Sequence, residues 1–403
     1  MTANALTDAE IEVIKSTAPV LAEHGESITE YFYKLLLDEN PELKNIFNAS
    51  NQRSGSQKTA LAQAVYAYAC YIDDLGVLTG AVNRIVEKHV STGVLPEHYP
   101  LVGAALLKAI DHVVSPPAEI IETWKKAYFF LADILIAAEA NRYEKSAGQQ
   151  GGWSGTRRFI VSQKVKESEL VTSFFLTPED GNAIAEYQPG QYLSVYVKPD
   201  GSDYTQIRQY SLSTPYNGDF YRISVKREFN DTDDGLVSNH LHNNVNEGDV
   251  VDITPPWGEF TLSNNDNPVV LISGGVGITP VHCMLESLIT KNSAQQISFI
   301  HGCVDSAHHS FAQSLSQIAI RDNVDAFVFY EKGNGGAPDN VKGLSGLIDL
   351  AKLPENTISK EAIIYLCGPM AMMKALNKQL IDAGIPETNI HYEVFGPDTS
   401  LNS

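Results

Sequence analysis

Among the four histidines in the first 145 residues, His24, His89, His98 and His112, only His89 has the company that chemistry would need. It ends a short helical run, Ile85-Val86-Glu87-Lys88-His89-Val90, and a histidine at a helix end is more often a surface or capping residue. Tyr99 follows ten residues later, just after Pro96, and Glu139 lies on the last helix expected in this region, where it could fold back to the same side. An imidazole that ligates a metal needs its second nitrogen hydrogen-bonded, and an acidic partner makes it more electron-donating. Such a ligand on an apolar wall is what a haem pocket requires, and a donating one favours oxygen activation over reversible storage. Tyr33, Gln57 and Leu61 suit an opposite wall, where a phenol and an amide could donate hydrogen bonds to bound oxygen. Taken singly, Tyr33 and Leu61 also fit an ordinary core and Gln57 a solvated first turn.

A second group lies beyond residue 185. Arg208-Gln209-Tyr210-Ser211 follows Pro189-Gly190-Gln191-Tyr192 in a strand-rich stretch. A guanidinium there can pair with a pyrophosphate, a tyrosine face can stack on a flavin ring, and a serine hydroxyl can bond its edge. Gly235-Leu236-Val237-Ser238 opens a short helix and offers backbone N–H groups to a phosphate. Further on, Gly274-Gly275-Val276-Gly277-Ile278-Thr279-Pro280 follows an apolar strand and precedes a helix, where glycines allow a tight turn and close approach of a dinucleotide. It is not the Gly-x-Gly-x-x-Gly fingerprint, and alone it is no more than a sharp loop. Cys367-Gly368-Pro369 after a second apolar strand gives it a partner.

These residues need three kinds of scaffold, and the hydrophobic period changes twice to supply them. Up to about residue 145 the pattern is helical. Thr7-Asp8 caps a helix through Ile11, Ile14, Val20 and Leu21; a second follows Gly25 and stops at Asn40-Pro41; others cover 57–74, 79–90, Pro96 to about Val114, and 118 to about 144. A polar, Gly-rich linker occupies 146–152. From 153 to about 264 the period is two, as in Tyr192–Val197 and Tyr221–Arg227, which predicts a small antiparallel barrel. From 265 to 403, apolar strands at Val269–Ser273, Ile297–His301, Ala326–Tyr330 and Ala362–Leu366 alternate with helix-like stretches, which predicts a parallel α/β sheet.

Composition narrows the function classes. Hydrophobic residues make up 43% and charged residues 19%, a globular balance. A net charge of -20 argues against a general nucleic-acid or anionic-membrane binder. The start, Met1 to Ser16, lacks the basic and apolar run of a signal peptide. Cys70, Cys283, Cys303 and Cys367 have no metal spacing and read as buried thiols of a reducing compartment. A soluble, cytoplasmic protein is expected.

The run Asn40-Pro41-Glu42-Leu43-Lys44-Asn45-Ile46-Phe47-Asn48, then Asn51-Gln52-Arg53, then Lys88-His89 with Pro96-Glu97-His98-Tyr99, resembles the bacterial flavohaemoglobins. The 208–211 and 235–241 pieces and Pro255-Pro256-Trp257-Gly258-Glu259-Phe260 resemble the flavin domain of ferredoxin-reductase type. The 274–280 and 367–369 turns are similar to the nicotinamide lobe of those reductases, and Tyr392-Glu393-Val394-Phe395-Gly396-Pro397 resembles the flavohaemoglobin ending. The resemblance spans essentially the whole chain and implies an all-α globin fold, then an antiparallel FAD-binding barrel, then an α/β NAD(P)H domain. It implies haem b held by His89, with Tyr99 and Glu139 as its charge relay, and Tyr33, Gln57 and Leu61 in the distal pocket. Phe47 packs on the haem and Lys88 lies near the haem–flavin junction. Phe395 covers the flavin, and Val394 stands where the family commonly carries cysteine, which leaves a packing role rather than a thiol role. Cys367 lies beside the nicotinamide path. The implied activity is nitric oxide dioxygenase, with O2, NO and NAD(P)H as small-molecule partners in a monomer that needs no membrane. The stretch 301–309 contains no Arg or Lys, so NADH is expected over NADPH. The alternatives are a general NAD(P)H-dependent reductase with an incidental haem, and an oxygen- or NO-binding sensor globin, for which no output module is visible.

Overall fold

The computed structural model describes residues 6–47, 56–229, 235–333, 336–396 and 401. It divides into two compact units: Met1–Gln149 with Trp153–Gly155 and Tyr196–Ile207, and Gln150–Gly152 with Thr156–Val195 and Arg208–Ser403.

The first unit is a stack of helices. Thr7 caps α1 (Asp8–Ser16) through a reciprocal box in which Glu10 N–H donates to Thr7 Oγ1 and Thr7 N–H to Glu10 Oε2. α2 (Ala18–Glu39) begins at once with proline in its first turn. The sequence pattern predicted one helix across Val20 and a new one after Gly25; the structure instead breaks the chain at Thr17 and runs straight through Gly25. The reason is packing: a Cβ on Gly25 would lie 3.3 Å from Cβ of Ala62 on α3 (Ser56–Cys70). Gly25 lets two helices approach and ends neither. α4 (Thr79–Thr92) is stopped by Gly93 in the left-handed conformation, α5 (His98–Val114) by Ser115, and α6 runs from Ala118 to Gly148. Ser146–Gly148, expected as linker, are thus helical, with Ser146 buried against the fold. Ile14, Ile28, Phe32, Leu36, Leu43, Ala109 and Ala127 lie at the centre of this core.

The alternating runs become β1 (Arg157–Lys166), β2 (Val171–Pro178), β3 (Tyr192–Val197), β4 (Gln206–Ser211), β5 (Tyr221–Lys226) and β6 (Val250–Ile253), ordered β4-β3-β6-β1-β2-β5, all of it in the second unit but Tyr196–Ile207. β1 pairs antiparallel with β2 and β6, and β2 with β5. A bridge between Leu212 and Ile223 brings the two outer strands together, so the sheet curls closed over Phe159, Val161, Phe174, Tyr221 and Val225. α7 (Leu236–Asn243) is attached to it.

The rest of the unit is a parallel sheet of β7 (Val269–Gly274), β8 (Ile297–Cys303), β9 (Val324–Tyr330), β10 (Lys342–Ser345), β11 (Ile363–Cys367) and β12 (Ile390–Glu393), ordered β10-β9-β8-β7-β11-β12. Crossovers include α8 (Ile278–Thr290), α9 (Ala312–Ile318) and α10 (Met370–Asp382). The β7, β8 and β11 cores are apolar on both faces, as helices covering both sides require. β10 and β12 were not anticipated from the sequence, since four-residue edge strands leave too short a pattern to read.

Three histidines are buried on the α8 face of this sheet: His282 and His301 at 0% exposure and His309 at 3%. Burial holds His282 down to about 3 and His309 to about 4, and puts His301 well below the usual imidazole value. All three are neutral in the folded state at pH 7, while the unfolded chain takes up protons below about pH 6.5. Their contribution to stability is therefore complete above pH 6.5 and is lost as pH falls toward 4. For His309 alone the difference is worth on the order of 3 kcal/mol. The urea midpoint of this unit is expected to fall steeply between pH 7 and pH 5; a midpoint independent of pH would contradict the assignment.

Candidate functional site

Three elements of the first unit converge on His89. It sits in the last turn of α4, where the left-handed Gly93 and the Val94 N–H return hydrogen bonds to the His89 carbonyl. Its Nδ1 lies 2.7 Å from Oε1 of Glu139 on α6 and 3.1 Å from the hydroxyl of Tyr99 on α5. The Tyr99 hydroxyl donates to the same Glu139 oxygen at 2.5 Å. A carboxylate accepts, so Nδ1 carries a proton toward Glu139 and Nε2 is the nitrogen left for a metal. Burial, and then the bond to Glu139, push the Tyr99 phenol well above its usual pKa, so it acts as a fixed donor. Glu139 Oε2 is buried with no partner among the described residues. Gly103 permits this arrangement, because a Cβ there would lie 2.5 Å from the ring of Tyr128, whose hydroxyl holds the Tyr99 carbonyl at 2.7 Å.

The other histidines are committed elsewhere. His112 stacks on Tyr31 at 4.0 Å, His98 Nδ1 accepts from the Leu95 N–H, and His24 is half-buried beside Glu23.

On the opposite wall Tyr33 is 6% exposed on α2, edge-on to Phe47 at 5.9 Å. The Gln57 amide donates to its phenol, and burial raises the phenol's pKa. Gln57 Oε1 is buried with no partner among the described residues. Leu61 and Phe47 pack against the same core. Lys88 is exposed on α4. A committed Nδ1 that leaves Nε2 for iron, and a buried phenol whose oxygen already accepts from Gln57 and whose O–H remains to donate, fit a haem with a diatomic ligand.

In the barrel, Arg208, Gln209 and Tyr210 are half-buried on β4 and Ser211 is buried, while Tyr192 is half-buried at the start of β3. The Gln209 amide donates to Ser194 Oγ at 3.4 Å, and burial raises the Tyr210 phenol. Gly235 is left-handed at φ 92°, and a Cβ would lie 2.7 Å from the Glu228 carbonyl, so only glycine closes this turn. Val237 is buried and packs inward. The Ser238 hydroxyl is consumed within the protein: it donates to the Gly235 carbonyl and accepts from Glu228 N–H. What α7 has left for a phosphate is its backbone N–H groups.

The nicotinamide-type turn lies where the sheet changes direction. From β7 the strand order runs one way through β8 to β10 and the other way through β11 to β12, so the switch point is between β7 and β11. Gly274 and Cys367-Gly368 meet there. A Cβ on Gly277 would lie 2.3 Å from the Cys367 carbonyl, one on Gly274 2.4 Å from Met372 Sδ, and one on Gly368 2.9 Å from Gly274 N. Gly275, at φ +52°, faces open space and leaves room for a ligand's backbone.

Residues 30–135 match the globin family, 158–262 the oxidoreductase FAD-binding domain and 271–378 the oxidoreductase NAD-binding domain. The chain is 45% identical to a flavohemoprotein of Bacillus cereus, covering 98% of this chain and 100% of that one, and 47% identical to the flavohemoprotein of Bordetella pertussis over 95% and 97%. The chain belongs to the flavohemoprotein family. A flavohemoglobin from Malassezia yamatoensis, solved with bound FAD and heme, matches at a TM-score of 0.84 with 29% identity, covering 97% of this chain and 100% of that one. The FAD/NAD-binding domain of a Vibrio cholerae nitric oxide dioxygenase matches at 0.56 with 44% identity, over 60% and 99%. The three-part fold expected from the sequence is therefore that of this flavohemoprotein.

Ile278, Thr279 and Pro280, expected to touch the dinucleotide, are buried in the first turn of α8, and Thr279 Oγ1 donates to the Val276 carbonyl. Gly275 and Val276 are the accessible part of the turn. Cys367 is fully buried and its thiol pKa is pushed well up, so it lends a carbonyl and volume rather than a reactive sulfur. Cys70 is half-exposed, unlike the other three cysteines. Phe395 is half exposed just past β12, with Glu393 and Val394 partly buried before it and Gly396 exposed after it; Pro397 lies outside the described residues. No helix among the described residues is long and apolar enough to cross a membrane. Sequence reasoning missed the half-buried set Arg222, Glu286 and Ser314 beside the buried His282, in which Glu286 accepts from Arg222 at 3.3 Å and from Ser314 at 3.2 Å. His282 and Glu286 stand four apart on α8, but Arg222 and Ser314 come from other elements, and no spacing announces them.

Proposed function

We propose that this flavohemoprotein is a nitric oxide dioxygenase that joins NO and O2 as nitrate with electrons from NADH. The observation that carries the reading is the His89–Glu139–Tyr99 arrangement, in which one buried carboxylate oxygen meets both the imidazole and the phenol. Haem, FAD and the nicotinamide supply the redox chemistry when bound. The chain supplies the rest. Glu139 draws the Nδ1 proton and leaves His89 Nε2 as the strongly donating nitrogen that would hold the haem iron. Tyr33, fixed by Gln57, would offer its O–H to O2 in the pocket. Arg208 and the α7 N–H groups would hold the FAD pyrophosphate, Tyr192, Tyr210 and Ser211 would contact the flavin, and Phe395 would cover it. Gly274 to Gly277 and Cys367 to Pro369 would seat the nicotinamide half of the dinucleotide. Nitrate formation takes up one electron per NO, so a two-electron donor requires a carrier that divides the pair, which places the flavin between.

NADH is the reductant in this reading. In the 301–309 stretch Asp305 accepts from the His308 ring at 2.6 Å, which holds its carboxyl below the usual value, and a carboxylate repels a 2′-phosphate. The protein acts in the cytoplasm, as a monomer, with no nucleic-acid partner. The test is NO consumption by the purified holoprotein with O2: nitrate formed stoichiometrically, with kcat/KM higher for NADH than for NADPH, supports the reading. NO loss without nitrate contradicts it.

Tyr33→Phe removes a donor to a charge-bearing ligand, an interaction of about 1.5–3 kcal/mol. O2 release measured by stopped flow is expected to quicken roughly 10- to 100-fold. An unchanged release rate would remove Tyr33 from this role.

A further inference from the structure

Glu139 is not the only bridge between α4 and α6. Three residues further along α6, Arg142 Nε donates to Oε1 of Glu87 at 2.7 Å, and Glu87 stands two residues before His89 on α4. Glu87 is 8% exposed, and a carboxylate so buried is kept only where a cation meets it. A third tie follows at the exit of α4, where the Tyr143 hydroxyl donates to the Val94 carbonyl at 2.9 Å.

We propose that the Arg142–Glu87 pair is a positioning device for His89, one that fixes the rotation of α4 about its own axis. The inference rests on the reading of His89 as the axial ligand. Residues three apart on α6 share a face, so Glu139 and Arg142 both point at α4. Residues two apart on α4 do not, so Glu87 and His89 reach α6 from different flanks. A single bridge at His89 would let α4 roll about that bond. With the second bridge, any roll that relaxes one bond stretches the other. The imidazole plane and its distance from Glu139 are thereby held together, and both set how strongly Nε2 donates. In this proposal Glu87 and Arg142 act through His89.

The test is a double-mutant cycle in the full-length, haem-loaded protein: Arg142→Met, Glu87→Met and the double variant, with methionine keeping the apolar stems. The readouts are the iron–histidine stretching frequency of the ferrous protein by resonance Raman and the haem midpoint potential. Each single variant is expected to lower the stretch, with NO consumption down about tenfold and flavin reduction by NADH unchanged. The double variant is expected to move the band no further than either single one, the mark of a coupled pair. It carries neither buried charge, so it folds even where a single variant does not. Lowered melting temperatures with the band unmoved in the haem-loaded double variant would overturn the proposal. A stretching band that survives in His89→Ala would instead bring down the ligand reading on which it rests.

Discussion

Replacing His89 with alanine is expected to take NO consumption to background while NADH continues to reduce the flavin. His24, His98 and His112 cannot substitute, because they sit beside Glu23, bond the Leu95 N–H or stack on Tyr31. The parallel sheet and all of the barrel but Tyr196–Ile207 belong to a separate compact unit and should be untouched by the change. Glu139→Gln keeps the shape and removes the charge that draws the Nδ1 proton, so a smaller loss, about 10- to 100-fold in turnover, is expected. The rival reading, a general reductase with an incidental haem, predicts that neither substitution alters NO consumption. Steady-state NO consumption beside anaerobic flavin bleaching separates the two.

The second large effect is at the switch point of the parallel sheet. Gly277→Ala places a methyl group 2.3 Å from the Cys367 carbonyl, which is backbone and cannot swing aside. Overpacking of this kind costs about 1–3 kcal/mol, and here the strain is relieved only by parting the two turns that meet between β7 and β11. Reduction of the flavin by NADH is expected to fall at least about tenfold through KM, since 1.4 kcal/mol is a factor of ten. Chemical reduction by dithionite should stay normal. Gly275→Ala faces open space but carries a left-handed φ of +52°, so it should be milder. Equal losses at both positions would show that turn strain, not the contact with Cys367, governs binding.

How much of this was legible in the sequence varies with how local the physics is. Thr7 and Pro41 act on the backbone beside them, and the helix boundaries they imply lie close to those observed. The switch from a period near four to a period of two marks the barrel for the same reason. Gly25 misleads because its role is decided by Ala62 on another helix, which no local pattern reports. The site residues divide in the same way. Resemblance singles out His89, Tyr99 and Glu139, but not that Tyr99 and His89 share one carboxylate oxygen. The turn at Gly235–Ser238 is legible as a place that offers backbone N–H groups, but not that the Ser238 hydroxyl is bonded within the turn itself. The Arg142–Glu87 pair spans 55 residues, and only the crossing of α4 and α6 brings it together.

The central claim is that one chain carries electrons from NADH through a flavin to a haem held by His89. An absorption spectrum of the purified holoprotein, recorded anaerobically under carbon monoxide before and after NADH, tests it most directly. The account predicts a flavin shoulder that bleaches while the Soret band moves to that of a ferrous carbon-monoxide complex. A bleached flavin beside an unmoved ferric Soret band would contradict it.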